Sequence, residues 1–293
     1  MYANLSLGAL GLSADFPTAV ELAARHGFEG VDPDVGHLRG LGDRAAIAEA
    51  GAALAARGLR WGVAGLPVDL TAPAGAFTAQ LAELPGTLDV LAAAGVTSVG
   101  TWVRPMHDDL TYRRNWVLHV SRISLVAGVL ADAGVRLGLE YVGPKTFWST
   151  ERFPFVHTLA EVRELIADTG ATNVGVILDS FHWFTAAETQ ADLAGLTDAD
   201  IVSVDLNDAP EDRALDQQLD LDPLGRLPPV EQHAGRDRLR SPGCLGLVVG
   251  AAGQRAQRHQ RDRQRACHRV VPTHVRLPSR RQPPSPGLCV TER

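Results

Sequence analysis

A short phrase recurs five times along the chain: an alanine-rich helix end, a glycine, then a brief apolar run. It reads AARHGFEGVD, AARGLRWGVAG, AAAGVTSVGTW, ADAGVRLGLEYV and ADTGATNVGVILD. The glycines are Gly27, Gly58, Gly95, Gly134 and Gly170, spaced by 31, 37, 39 and 36 residues. A glycine just past a helix can take the left-handed conformation that stops the helix and turns the chain back. Each phrase therefore predicts the end of one βα unit and the start of the next.

The segments between the glycines agree with that reading. Phe77, Leu81, Leu84, Leu88 and Leu91 recur at three- and four-residue steps, as do Trp116, Val120, Ile123, Ala127 and Leu130. Each set draws one apolar stripe along a helix that packs on a sheet. Strands are expected near 4–8, 29–33, 59–64, 97–102, 136–142, 174–179 and 200–206. They are short and nearly all apolar, as parallel strands covered on both faces must be. Eight units of about 36 residues fill the 293 residues of the chain, and the expected fold is an α/β (β/α)8 TIM barrel. A doubly wound open sheet is the structural alternative, but no GxGxxG follows the first strand, which disfavours its dinucleotide-binding form.

Composition narrows the setting. No apolar run approaches the ~20 residues of a membrane span, and the N-terminus lacks the basic start and small-residue cleavage site of a signal peptide. A cytoplasmic enzyme with no membrane partner is the expectation. The three cysteines, Cys244, Cys267 and Cys289, show no CxxC spacing and support neither a disulfide framework nor a zinc knuckle. The net charge of −6 conceals a break. Residues 1–222 hold 14 Lys and Arg against 30 Asp and Glu, whereas residues 223–293 hold 14 against 4. All 16 aromatic residues precede the break and all the cysteines follow it.

In a barrel the chemistry sits where strands end. The fifth expected strand, LGLEYVG, carries Glu140. The sixth, VILDSFHW, carries Asp179 and then His182, and the seventh, IVSVDLNDAP, carries Asp205, Asn207 and Asp208. A carboxylate closing an apolar strand is costly unless something pairs with it. Taken singly, each of these acids reads equally as a helix N-cap or a salt-bridge partner. Taken together they suit a divalent cation, with Glu140, Asp179 and Asp205 as ligands and oxygen-rich ligation favouring Mn2+, Mg2+ or Co2+, and Zn2+ as a further choice. Trp102, Trp148, Trp183 and Phe184 lie near the same strand ends, as core packing or as an apolar wall facing a sugar ring. Arg104 and His107 in TWVRPMHDDL, and Asn207, are the polar candidates for holding a substrate.

The segments GLEYVG, GVILDSFHW and VSVDLNDAP resemble the sugar phosphate isomerase/epimerase family of xylose isomerase-like TIM barrels, over roughly residues 1–222. That superfamily also includes apurinic-site endonucleases and inosose dehydratases. The resemblance implies a single divalent metal held by a glutamate on strand five, an aspartate on strand six, a histidine on strand seven and a glutamate on strand eight. Glu140 and Asp179 match the first two positions. Asp205 stands where the family often carries histidine. His182 matches a histidine that contacts substrate oxygen or a further metal. The implied activity is isomerisation or epimerisation of a keto sugar, sugar phosphate or inositol derivative by proton transfer through an enediolate. Glu140 and His182 are then the catalytic groups, and the partner is a small-molecule sugar.

The last segment departs from this pattern. An eighth strand is expected near residue 240, ending in a glutamate; the apolar run 244–250 reads as a short strand in about the right place, but no carboxylate follows it until Asp262. The chain has one lysine against 27 arginines. The abrupt loss of aromatics with a gain of Cys, Arg and Pro is what GC-rich DNA yields in a wrong reading frame, so residues 223–293 read as an atypical, out-of-frame or disordered tail. Loss of the eighth βα unit would leave strands one and seven as open edges and would impair activity. Two alternatives follow from the same residues: an apurinic-site endonuclease-like hydrolase, and a non-catalytic product whose basic tail binds nucleic acid. The first needs more histidines than the six in residues 1–222, and nucleic acid is not the expected partner.

Overall fold

A computed structural model describes residues 1–207 and the backbone of residues 247–250. Residues 208–246, including Asp208 and the expected break near 222, and the tail beyond residue 250 lie outside the described residues.

Strands and helices alternate from the start. β1 (Tyr2–Leu5) and α1 (Phe16–His26) are followed by β2 (Gly30–Val31), α2 (Val35–Gly40) and α3 (Arg44–Ala56). Then come β3 (Arg60–Trp61), β4 (Ala64–Gly65) and α4 (Ala74–Ala94), and next β5 (Ser98–Trp102), β6 (Met106–His107) and α5 (Tyr112–Asp132). β7 (Arg136–Glu140), α6 (Lys145–Trp148), β8 (Phe153–Pro154) and α7 (Leu159–Thr169) lead to β9 (Val174–Asp179), α8 (Ser180–Thr185), β10 (Ile201–Leu206) and β11 (Leu247–Gly250).

The five phrase glycines behave as their positions demand. Gly27, Gly58, Gly95, Gly134 and Gly170 all have φ between 66° and 82°, and no atom would crowd a side chain at Gly58, Gly95, Gly134 or Gly170. Backbone conformation alone selects glycine there. The stripes also land inward: Leu84, Leu91, Ile123 and Leu130 are fully buried. α4, α5 and α7 pack these faces on one side of the sheet, while α1 and α3 cover Leu5, Val31 and Leu59 in a smaller second cluster.

The main sheet runs β3-β2-β1-β11-β10-β9-β7-β5-β4. β3 and β4 are the two halves of the expected 59–64 strand, parted only by Gly62 and Val63, so the sheet curls back on itself. The pairs β1–β2, β2–β3, β4–β5, β5–β7, β7–β9 and β9–β10 are parallel. This is the curled parallel sheet of a TIM barrel, incomplete as a (β/α)8 fold. The first strand lies two residues earlier than the sequence suggests.

One expectation is corrected here. Strands one and seven are not open edges, because β11 lies between β1 and β10 and pairs with both. It runs antiparallel to both, with Leu247 beside Leu5 and Leu206 and Gly250 beside Tyr2 and Ser203. Any extended segment can satisfy two rows of unpaired backbone groups, whichever way it points.

Close packing of α3 against α4 gives a test with a counterintuitive sign. Gly51 sits inside α3, where alanine would ordinarily gain about 1 kcal/mol. Its Cα faces the Ala94 carbonyl so closely that a methyl group would overlap it, and the obstacle is backbone. Gly51→Ala should therefore lower stability by about 1–3 kcal/mol, measured by urea unfolding; a stabilised variant would contradict the packing.

Candidate active site

β9 is buried along its whole length, and Asp179 closes it at 3% exposure. A carboxylate there needs donors, and the turn into α8 supplies two. Asp179 Oδ1 accepts from the backbone N–H of Phe181 (2.6 Å) and of His182 (3.3 Å), which makes it the N-cap of α8. The cap starts a helix whose third residue is His182, and the first turn carries that ring back toward the neighbouring strand end. His182 Nε2 lies 3.8 Å from Oε1 of Glu140, the last residue of β7. One ligand atom from each of Glu140, Asp179 and His182 lies within 4.8 Å of the others. Capping and clustering are thus compatible roles for Asp179.

Crowding decides the charge states. Glu140 is held well above the ordinary carboxyl range, first by burial and then by the nearby charges of Asp179 and Asp205. Asp205 is pushed up to about 7 by burial, then by Asp179 and Asp32, against a hydrogen bond from Ser203. Burial lowers the His182 imidazole, with Asp179 opposing. Burial thus disfavours the charged form of both partners in the His182–Glu140 contact.

Two carboxylates and an imidazole at this separation fit a divalent cation. His182 Nδ1 is buried and makes no hydrogen bond, and a cation would offset the neighbouring carboxylates that help to raise Glu140.

The other sequence candidates fall into several places. Asp205 lies in register with Asp179 on β10 and faces the same interior, but it is not one of the three clustered groups; His182 occupies the third place instead. Trp102 is in register with Glu140, 46% exposed, and its ring stands 6.0 Å from Phe147. Arg104 pairs with Glu151. His107 Nδ1 accepts the backbone N–H groups of Asp109 (2.9 Å) and Leu110 (3.1 Å), fixing the turn before α5. Trp148 lies tilted against His157 at 4.6 Å and lines a separate cavity of about 310 Å³ with Lys145 and Thr185, to which none of the clustered side chains contributes. Trp183 is 8% exposed and belongs to the apolar core rather than to a wall facing a ligand. Asn207 turns its amide to Asp179.

Some groups escaped the sequence reading. Asp32, just past β2, is raised by burial despite hydrogen bonds from Ser6 and Asn4; Asn4 Nδ2 donates to it at 2.7 Å. It ends GFEGVD as Asp179 ends GVILD, so the same strand-end pattern was available. Tyr141 donates to Glu188 Oε2 (2.5 Å), whose other oxygen accepts the N–H of Leu159 (2.6 Å). No local signal joins residues so far apart in sequence.

A family model for xylose isomerase-like TIM barrels matches residues 20–246. Among solved structures, a xylose isomerase domain protein from Alicyclobacillus acidocaldarius subsp. acidocaldarius is 33% identical, covering 71% of this chain and 74% of its own, with a TM-score of 0.63. The IolI protein with a bound zinc atom shares the fold at 17% identity, 76% and 78% coverage and a TM-score of 0.62. D-psicose 3-epimerase, solved in the presence of D-fructose, does so at 20%, 64% and 67%, and 0.52. A protein from Bacillus anthracis described as a "probable 3-DHS dehydratase" shares the fold at 16% identity and a TM-score of 0.57. No protein curated for function matches the sequence.

The raised carboxyls set a pH dependence. A carboxyl whose folded pKa exceeds its unfolded value stabilises the fold below the unfolded value, and that contribution is lost as pH rises through the folded one. For Asp205 the loss runs from about 4 to about 7. The metal-free protein should lose Tm between pH 6.5 and pH 8, above the range in which the buried His119, lowered to about 4, works in the opposite sense, and Mn2+ should raise Tm more at pH 8 than at pH 6.5, because binding displaces protons. Scanning calorimetry with and without Mn2+ checks both; a Tm indifferent to pH and Mn2+ would contradict the site's electrostatics.

Proposed function

The chain belongs to the xylose isomerase-like TIM barrel family, and from that premise we propose that it is a divalent-metal-dependent isomerase or epimerase of a keto sugar, sugar phosphate or inositol derivative. The observation that carries the reading is the convergence of Glu140, Asp179 and His182 at the C-terminal ends of β7 and β9. Superfamily neighbours that are sugar epimerases support the substrate class.

Glu140, Asp179 and His182 would hold the cation, which when bound polarises the carbonyl and adjacent hydroxyl of the substrate. The protein's own groups do the rest. Glu140 takes the proton from the carbon next to the carbonyl and delivers it to the former carbonyl carbon, which is isomerisation; epimerisation needs a second acid on the opposite face, the glutamate that an eighth parallel strand would supply. His182 Nε2, 3.8 Å from Glu140 Oε1, serves there as a cation ligand, and a ring nitrogen that holds a metal has no proton to exchange with the substrate. Asp179, locked by its helix-cap bonds, keeps its place throughout. Trp102, exposed and level with Glu140, offers an apolar face to the ring or chain of the sugar. The reading assigns the chemistry to residues 1–222 and gives the Arg- and Pro-rich segment 223–293 no catalytic part. Restoration of an in-frame eighth unit should then raise activity.

An apurinic-site hydrolase reading draws no support from this cluster, which contains one histidine. With Mn2+ or Co2+, the protein should interconvert one member of a panel of ketoses and inososes, and EDTA should abolish turnover. Glu140→Gln should cut kcat by about 10²–10⁴-fold, followed by chromatographic assay and by exchange of substrate hydrogen with deuterated solvent. Absence of turnover and of solvent exchange across the panel, with the metal bound, would overturn the assignment.

A further inference from the structure

Asp179 is gripped from a third direction, and the group that grips it comes from another strand. Asn207 Nδ2 donates to Asp179 Oδ2. The amide can face no other way, because its Oδ1 and a carboxylate oxygen would be two acceptors in contact. Asn207 is itself fixed by a reciprocal backbone clasp: its N–H donates to Ser180 Oγ at 2.9 Å, and the Ser180 hydroxyl donates to its carbonyl at 2.7 Å. The clasp ties the residue after β10 to the first residue of α8. Asp179 therefore has a donor on each oxygen, two on Oδ1 and one on Oδ2, and its plane is set by both ends of the clasp. The remaining side-chain atom, Asn207 Oδ1, is buried and bonds to nothing among the described residues.

We infer that Asn207 is a positioning residue for the cation ligand Asp179: its side-chain amide, held by the Ser180 clasp, orients the carboxylate toward Glu140 and His182. The inference rests on the metal-holding reading of those three side chains. Two features favour it over a purely structural contact. The hydrogen bond lands on the oxygen that the helix cap leaves free, so without it Asp179 could turn about its side-chain bond within the cap. The unpartnered Oδ1 lies on the same amide, where a substrate hydroxyl or a solvent water would find a buried acceptor. Groups that orient a ligand in this way typically contribute about 10–100-fold to metal affinity.

The test uses Mn2+ binding to the full chain, read by the loss of the free Mn2+ signal in electron paramagnetic resonance, with the metal-free Tm measured in parallel. Asn207→Leu keeps most of the volume and removes the donor. It should weaken Mn2+ binding about 10–100-fold while shifting the metal-free Tm little. Ser180→Ala breaks the clasp but leaves the amide, and should weaken binding in the same direction by less. If Asn207→Leu fails to fold, Ser180→Ala decides alone. Unchanged Mn2+ affinity in the folded variants, with the wild-type chain binding one Mn2+, would overturn the role of Asn207 and leave the site standing. Failure of the wild-type chain to bind Mn2+ at all would overturn the site reading, and this inference with it.

Discussion

Burying carboxyl groups where parallel strands end is the constraint from which the rest of this structure follows. Asp32, Glu140, Asp179 and Asp205 face the interior of one curled sheet, where an unpaired carboxylate is costly. The protein meets that cost in two ways. Asp179 receives three hydrogen bonds, from a helix N-terminus and from Asn207, and Asp32 receives bonds from Asn4 and Ser6. Glu140 and Asp205 have no such donor sets among the described residues, and burial with the neighbouring carboxylates raises both. The first pair is fixed in place and the second is responsive, and a site that must hold a cation and move a proton needs both kinds of group.

The interior around these acids is shaped by an absence of side chains. Gly30, Gly62, Gly100 and Gly138 lie in or beside successive strands of the sheet, and a Cβ on any of them would collide with an inward-facing group: Asn4 and the Tyr2 ring, Asn4 and Asp32, Ile177 and Val63, or Ile177 and Val202. Two side chains, Asn4 and Ile177, thus occupy space that four positions vacate. The arrangement is a packed core rather than a channel, and it forces polar groups to the ends of the strands, where solvent and substrate can reach them. Gly143 serves α8 in the same manner, since it lies so close to the His182 carbonyl that only glycine fits.

What could be read from the sequence was whatever local periodicity encodes. The helix-ending glycines set the number and spacing of the units, and all five adopt the left-handed backbone that their role demands. The apolar stripes in α4 and α5 announced which faces are buried, and acids closing apolar strands pointed to Glu140, Asp179 and Asp205. Pairings across the sheet were not legible. Nothing in TWVRPMHDDL shows that Arg104 will be neutralised by Glu151, and nothing in SFHW separates the buried Trp183 from the exposed Phe184 except the turn at which α8 begins. Asn207 looked like a substrate contact because it stands at a strand end. Its bond to Asp179 depends on the register of two strands, which joins residues 28 apart in sequence.

The eighth position of the ring separates two requirements that barrels of this kind usually satisfy together. Closing the sheet needs only an extended segment with a free row of backbone donors and acceptors, and β11 meets that need between β1 and β10. Contributing to the site needs direction as well. A parallel strand delivers its last residues to the rim where Glu140 and Asp179 stand, whereas β11 enters at the rim with Leu247 and leaves at the opposite end with Gly250 beside Tyr2. A carboxylate that followed this strand would therefore emerge on the wrong face. The right-handed βα crossover that makes successive strands parallel is thus more than a packing habit: it is what turns the end of every strand into a possible ligand. In this chain the parallel strands retain that property, and β11 pairs its backbone with both neighbours from the opposite direction.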